Sequence, residues 1–509
     1  MPAAPEVPSP SGDASDINLA VREGLRARGA HDALAFSGRW RPWSWLARSA
    51  EILDGIIADA GLQKPAVALI ARTRPQHVAI FAAQIAARRP TCMVHAMQSP
   101  SGIAADVASL RVPLVVADED DWTDELILAV RATGAAGVIL RDGREEALEV
   151  HPELRRATGS FEPARSSAFE LLSSGTTGPP KRLALSWSAV AQSVADARLA
   201  YVGTDHRSAP LLMLYPLGNI AGLGYLAPAL VHGQRIVLIE KFSVDAWVHA
   251  VREYRPVRCA LPPAGMRMVL DAGVPRAALE SLKVVAVGGA KLDADLHARF
   301  EHTYGIPVFT AYGATEFGGV IAHWTPALYE KFGKTKRGSV GTAAAGVSLR
   351  IVDSESREPI PGANVGLLEA RVPRIGPDWL RTTDLARIDS DGFLFLEGRA
   401  DSAINRGGFK IIPDAVADVL RQHPDVADAA VVGIGDERLG EVPVAAIELR
   451  RGASPDAVNG LEKFARERLL SYQVPVAWRI VPALPRNASL KVSIPDVREL
   501  FRSGLAAGT

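Results

Sequence analysis

Four stretches of the chain carry side chains suited to holding phosphate, a divalent cation and sugar hydroxyls. The first is SSGTTGPPK, Ser173 to Lys181, between the apolar runs FELL and LALS. Gly175 and Gly178 let backbone N–H groups converge on an anion, the hydroxyls of Ser173, Ser174, Thr176 and Thr177 add hydrogen bonds, and Lys181 adds charge. A surface hairpin would use the same turn residues. The stretch is not G-x-x-x-x-G-K-S/T opening a helix, because its lysine follows two prolines. The second stretch is TAYGATEFGG, Thr310 to Gly319, after the strand candidate IPVFT. Thr315 and Glu316 together can hold a phosphate oxygen and Mg²⁺, which takes one or two carboxylates plus phosphate oxygens; a glutamate in such a loop is otherwise simply solvated. The third, Arg381 to Lys410, places Asp384 and Arg399 near strand ends. A carboxylate there can accept two ribose hydroxyls and an arginine can bind phosphate or ribose oxygens, or the two can form a salt-bridged turn. The fourth, LPRNASLKVS, sets Lys491 in a loop of small residues, where a lone lysine is ordinarily a solvated charge.

The elements that would position these residues alternate. WSWLARSAEILDGIIADAG, QHVAIFAAQIAARR, DAWVHAVREY and DLHARFEHTYG have helical periodicity; AVALIAR, PTCMVHA, VPLVVAD, RIVLIE, VRCALPP and LKVVAVGG are strand-like. That alternation predicts an α/β fold of layered, largely parallel sheets. After about Gly338 the texture changes to short strands and turns (GSVGTAAAGVSLRIVDSE, NVGLLEARV, GFLFLEGR), a small antiparallel or barrel-like unit. A compact α+β tail follows, with a boundary near Arg399 to Asp401. The expected organisation is an N-terminal domain over 1–400, with a disordered leader at 1–16 and the small β subdomain over about 338–400, and a C-terminal domain over 401–509.

Of 509 residues, 48% are hydrophobic and 22% charged, and Lys plus Arg equals Asp plus Glu at 57 each, so bulk charge gives no footprint for nucleic acid. Cys92 and Cys259 sit in apolar runs and read as buried thiols, not a disulfide or metal site, which fits a cytoplasmic compartment. The N-terminus has neither a basic nor an apolar region of a secretory signal, and the apolar runs are too short to span a bilayer. A homodimer is compatible with the sequence.

Taken together, the stretches resemble the adenylate-forming superfamily of acyl-CoA synthetases, adenylation domains and luciferases, over roughly residues 35 to 500. SSGTTGPPK is similar to its phosphate loop, YGATE to YGxTE, GSVGTAAAGVSLRIVD to GSVGxPxPGxxxxIVD, the Thr382–Pro413 block to TGDxxxxDxDGxxxxxGRxxDxIxxxGxxIxP, and PRNASLK to PRxxxGK. The motifs occur in the family's order. The resemblance implies attack of a carboxylate on the α-phosphorus of ATP, release of pyrophosphate, and transfer of the acyl group from AMP to a thiol, with coenzyme A the default acceptor. A carrier protein, an amine, or no catalysis at all are the alternatives. It implies that Thr176, Thr177 and Lys181 handle the β- and γ-phosphates, with Ser173, Ser174, Gly175 and Gly178 also binding the nucleotide, that Thr315 contacts phosphate and Glu316 holds Mg²⁺, and that Gly288, Gly289 and Ala290 line the adenine, with Tyr312 stacking on it and Gly313 also binding the nucleotide. Asp384 would grip the ribose, Arg399 would add a contact, and Lys491 would bridge α-phosphate and carboxylate. The tail would then rotate about Asp401 and bring Gly407 and Gly408 in to line a thiol tunnel. The acyl pocket would draw on Tyr215, Leu217, Asn219, Ile220, Ala286, Val287, Phe317, Gly318 and Gly319. These are mostly apolar or small, which suits an aryl, alicyclic or medium-chain acid.

The chain departs from the family pattern at several places. Leu490 replaces the glycine of PRxxxGK, Asn219 replaces a histidine beside the acyl pocket, Trp187 replaces another after the phosphate loop, and Ala415 and Ala417 replace two glutamates. The alanines are expected to be surface changes. Leu490 matters if its backbone must adopt positive φ.

Overall fold

The computed structural model describes residues 16–142, 148–161, 165–172, 181–200, 209–453, 457–487 and 490–505. Among these residues the strands form four sheets, and the alternation in the sequence becomes two large, mainly parallel ones. One runs Leu148–Val150, Ala136–Leu140, Leu114–Asp118, Val67–Ala71, Thr91–His95, Phe169–Leu172, Arg182–Leu185. The other runs Thr342–Ala343, Gly319–His323, Val308–Ala314, Val284–Val287, Arg258–Ala260, Leu211–Met213, Ile236–Leu238, Asp32–Phe36, Arg39–Pro42. Their inner pairings are parallel, and their strands are short apolar runs because both faces are covered. The helix Pro75–Ala86 is mostly apolar and buried along nearly its whole length, with Val78–Ala83 and Ile85 in the largest core and the buried Gln76 and Gln84 side chains hydrogen-bonded to Asp118 and Thr91. No described helix is long and apolar enough to cross a membrane.

The strands Ser348–Val352, Gly366–Arg371, Trp379–Ile388 and Leu394–Arg399 form the expected antiparallel unit. The tail has its own sheet, Phe409–Ile411, Ile404–Arg406, Gly440–Leu449, Val426–Asp436, with Ala477–Val481 parallel to Gly440–Leu449. Both tail cores consist of tail residues, one around Ile404, Leu420, Ile447 and Leu461, the other around Val432, Val444 and Phe501. Here one expectation fails. Ala415 is exposed, but Ala417 is buried at 2% exposure in the first of these cores. The helix Pro413–Arg421 turns that face inward, where a glutamate would need a partner.

Candidate active site

Parallel strands leave their carboxyl ends open for ligands. Val284–Val287 and Val308–Ala314 are adjacent and parallel, and their carboxyl ends emit Gly288-Gly289-Ala290 and the YGATE turn. Gly289 has φ +80°, and a Cβ built on it would lie 3.4 Å from Lys491 Cε and 3.8 Å from Nζ. The tail therefore delivers its lysine onto this turn. Burial, and then the charge of Arg399, hold the Lys491 ammonium below its ordinary pKa. Such an ammonium lacks solvation that an anion would restore.

The lysine loop is closed by its own backbone. Asn487 N–H donates to Lys491 C=O at 2.9 Å, Leu490 N–H to Asn487 C=O at 2.8 Å, and Lys491 N–H to Asn487 Oδ1 at 3.1 Å. Leu490 sits at φ +60°, the left-handed region where the family carries glycine. A leucine there costs about 1–2 kcal/mol of backbone strain. Leu490→Gly is expected to raise tail stability by about 1 kcal/mol, read as a later urea midpoint, because relief of strain exceeds the added unfolded-state entropy. An earlier midpoint would show the strain to be absorbed elsewhere.

Tyr312 lies at a bulge between Val308–Ala314 and Gly319–His323. A Cβ on Gly313 would come within 2.4 Å of Gly319 C=O, so the glycine of YGATE is required by close strand approach. Thr315 and Glu316 occupy the short 3-10 turn Thr315–Phe317, with the Glu316 side chain exposed. The turn is held from below by residues that no local pattern flagged. Arg374, 3% exposed, donates to Phe317 C=O at 2.8 Å and Val320 C=O at 2.7 Å and pairs with Asp196 at 2.6 Å. Ser193 donates to Gly318 C=O at 2.7 Å.

Asp384 and Arg399 face each other in the register of Trp379–Ile388 and Leu394–Arg399. Tyr312 Oη donates to Asp384 Oδ2. Burial raises the Asp384 carboxyl above its usual range despite Tyr312 and Arg399, and burial and Asp384 raise the Tyr312 phenol. Tyr312, expected to stack on adenine, is thus tied by its hydroxyl to the ribose candidate. Arg399 grips Asp401 through two bonds, at 2.9 and 2.7 Å, and donates to Thr383 Oγ1 at 2.8 Å. Gly407 (φ +55°) and Gly408 (φ +89°) form the two-residue turn of the hairpin Ile404–Arg406/Phe409–Ile411, as left-handed glycines do in a type I′ turn. Gly407 N–H bonds Leu439 C=O within the tail.

The acyl candidates lie where the two large sheets meet. A Cβ on Gly218 would be 3.4 Å from Ala71 Cβ, at the end of a strand of the other sheet. Tyr215 is buried and stacks on Tyr225, with ring centroids 5.6 Å apart. Leu217, Val287 and Phe317 are buried at 1–2% exposure, and Ala286 at 6%. Of the candidates, Ile220 and Gly318 line an apolar crevice with Val190, Val194, Leu223 and Gly224; Gly319 is half-buried at its edge. Asn219, the expected polar pocket member, is half-buried and has a structural task. Its Oδ1 caps the helix Ile220–His232, accepting from Gly222 N–H at 2.8 Å.

Ser173, Ser174, Gly175, Thr176, Thr177 and Gly178 lie outside the described residues. The flanking strands Phe169–Leu172 and Arg182–Leu185 pair antiparallel, so the phosphate-loop stretch does join a hairpin. Lys181 is exposed at its base, and Arg182 anchors it through two bonds to Asp106, at 2.7 and 2.8 Å.

The site's parts fit a nucleotide: a glycine turn facing a lysine, and a half-buried carboxylate opposite an arginine. Comparison with known proteins agrees. The model of the AMP-binding enzyme family matches residues 21–376, and that of the AMP-binding enzyme C-terminal domain matches 415–491. The indoleacetate–CoA ligase of Aromatoleum aromaticum is 34% identical over 346 residues, 64% of this chain and 66% of that one. The 2-succinylbenzoate–CoA ligase of Geobacillus kaustophilus is 30% identical over 398 residues, 74% and 78% of the two chains. ATP-bound MatB from Rhodopseudomonas palustris superposes with a TM-score of 0.81 at 20% identity, covering 96% of this chain and 99% of that one. The chain belongs to the AMP-binding enzyme family of adenylate-forming ligases. It has that fold's large N-terminal and small C-terminal domains.

The residues also fit magnesium as that chemistry uses it. Among the described residues no cluster of three or more His, Cys, Asp or Glu could hold a metal alone. The single exposed carboxylate of Glu316 suits a cation that takes its other ligands from phosphate and water.

Proposed function

We propose that the protein is an AMP-forming acid–thiol ligase that activates a hydrophobic carboxylic acid and transfers it to coenzyme A. The observation that carries this reading is Lys491 lying against Gly289, close enough to Arg399 to feel its charge. An acyl-adenylate forms when two anions meet, a carboxylate and the α-phosphate of ATP, and the cost of that approach is chiefly electrostatic. Lys491, drawn out of water by its seat, lies between them and offsets the charge that builds on the transferring phosphorus. Asp384 accepts the ribose hydroxyls, with Tyr312 orienting its carboxylate and Arg399 balancing its charge. Gly288–Ala290 form the adenine wall. Thr315, Lys181 and the Ser173–Gly178 loop hold the remaining phosphates. When bound, magnesium neutralises phosphate charge, with Glu316 the carboxylate placed to hold it. Holding acid and ATP in line supplies the rest of the rate.

In this reading the body ends at residue 400 and the mobile domain spans 401–509. Asp401 is the hinge, and its tie to Arg399 couples rotation to the ribose contact. The Gly407–Gly408 turn then lines the thiol path. An aryl acid is favoured by the stacked Tyr215–Tyr225 pair and by the two relatives, named as indoleacetate– and 2-succinylbenzoate–CoA ligases. Free, buried Cys92 and Cys259 fit a reducing, cytoplasmic setting.

The test is acid-dependent ATP–pyrophosphate exchange without CoA, using indole-3-acetate, benzoate, cyclohexanecarboxylate and octanoate. Exchange with the aryl acids, followed by thioester on adding CoA, is the expected result. Exchange with octanoate alone would overturn the aryl preference. Exchange without CoA-dependent thioester would shift the acceptor to a carrier protein or an amine.

A further inference from the structure

Asp428 makes the densest set of ionic contacts in the tail, far in sequence from every motif. It is the third residue of the strand Val426–Asp436 and its side chain is 8% exposed. Oδ1 accepts from Arg421 Nε at 2.8 Å and from Ala429 N–H at 2.9 Å; Oδ2 accepts from Arg486 Nη2 at 2.5 Å. Arg421 needs Asp428 least, because Asp418 and Ala429 C=O also hold it. The other two arginines point in different directions.

Arg486 begins the lysine loop. Its Nη1 donates to Leu490 C=O at 3.2 Å, and Arg486 forms an isolated bridge with Val492. Through Arg486, Asp428 holds the residue immediately before Lys491, in a backbone already strained at φ +60°. Arg267 belongs to the N-terminal domain, on the helix Pro263–Asp271. Its Nη2 lies 3.8 Å from Asp428 Oδ1, its side chain is 12% exposed, and its Nε has no hydrogen-bond partner. A guanidinium so poorly solvated depends on the charge it faces. A second tie lies alongside: Lys291, two residues past Gly289, pairs with Asp418 at 2.7 Å.

We infer that Asp428 is a positioning residue for adenylation, joining the tail's seat on Arg267 to the loop that presents Lys491. The inference rests on the role proposed above for Lys491. With the tail seated, Arg267 and Arg486 share one carboxylate, and the lysine loop is braced where Lys491 meets Gly289. Without that carboxylate, Arg486 loses its ion-pair partner and Arg267 keeps only the charge of Asp293, with the cations of Arg421 and Arg486 beside it across the seam. The seat then repels, and the lysine loop loses its brace. Asp428 touches neither nucleotide nor acid. Its effect belongs to the half-reaction that needs Lys491 in place, not to the transfer that follows.

The experiment measures two half-reactions: pyrophosphate exchange with the best acid of the panel, and thioester formation from the synthetic acyl-adenylate of that acid plus CoA. Arg267→Met changes only the N-terminal side of the contact, so it tests the inference even if Asp428→Asn fails to fold. Both variants are expected to lose about 10²-fold in exchange, the scale of a reacting group misplaced by about 1 Å, while transfer stays within about twofold. Asp428→Glu is expected to recover part of the exchange. Tryptic cleavage after Arg399, which needs no acid, is expected to be faster in Arg267→Met. Equal losses in both half-reactions, or exchange within about twofold of the parent, would overturn the inference. If Lys491→Ala itself retains exchange, the reading of the lysine fails first; if Lys491→Ala abolishes exchange and these variants do not, only the role of Asp428 fails.

Discussion

Replacing Lys491 by alanine is expected to lower acid-dependent pyrophosphate exchange by about 10²- to 10³-fold or more, the range for removing one preorganised donor from a developing charge. Conversion of a supplied acyl-adenylate to its thioester is expected to survive. The asymmetry follows from where the lysine sits. Its ammonium reaches the Gly289 turn only because the tail carries it there, and burial beside Arg399 has already stripped part of its solvation. Arg399 does not substitute, since two bonds to Asp401 and one to Thr383 hold its guanidinium in place and Asp401 already offsets its charge. Chemistry on the completed adenylate no longer brings two anions together, so the loss of one cation matters little there. Equal loss of both steps would remove the case for a tail that works in two positions.

Arg374→Met is expected to cost roughly 3–5 kcal/mol in the N-terminal domain, the usual penalty for breaking one side of a buried ion pair. The guanidinium is 3% exposed and Asp196, its partner, 19%. Methionine keeps most of the volume but leaves Asp196 uncompensated and the carbonyls of Phe317 and Val320 without their donor. The thermal midpoint is expected to fall by several degrees. Because the freed segment carries Glu316 and borders the crevice at Gly318, the KM for the acid is expected to rise more than kcat falls. An unchanged midpoint with unchanged KM would show the carbonyl contacts to be incidental.

Much of the site could be read from the chain because its signals are local. A glycine turn at a parallel strand's end, a Thr-Glu pair after YGA, an Asp and an Arg on neighbouring strands, and a lysine in a PRxxxGK-like loop are all short-range patterns, and the structure brings Gly289, Tyr312, Asp384, Arg399 and Lys491 to one place. The alternation of helix and strand was legible for the same reason. What escaped was set by long-range pairing. Arg374 meets Asp196 across 178 residues, and Asp428 meets Arg486 across 58. No period or turn residue encodes such a meeting. Asn219 illustrates a different limit: the residue type suits a pocket and a helix cap equally, and only the start of the helix at Ile220 reveals the cap. Ala417 was misplaced because alanine fits both faces of a helix, and its burial depends on how Pro413–Arg421 rolls against the tail sheet.

The ties described across the seam are ionic, Lys291 to Asp418 and Arg267 to Asp428, while both apolar cores of the tail close within the tail. Beside them lies a cleft of about 260 Å³ lined by Arg267, Asp293, Arg299, Arg421 and Arg450, already open to water. The tail's own cores thus do not depend on residues of the N-terminal domain, and the two named ties across the seam are pairs of charges. The attraction is short-ranged, fading beyond the roughly 8 Å over which physiological salt lets charges sense one another. If the tail rotates as proposed, such a joint acts as a weak magnetic catch: it sets orientation at close range and exerts almost no pull once opened.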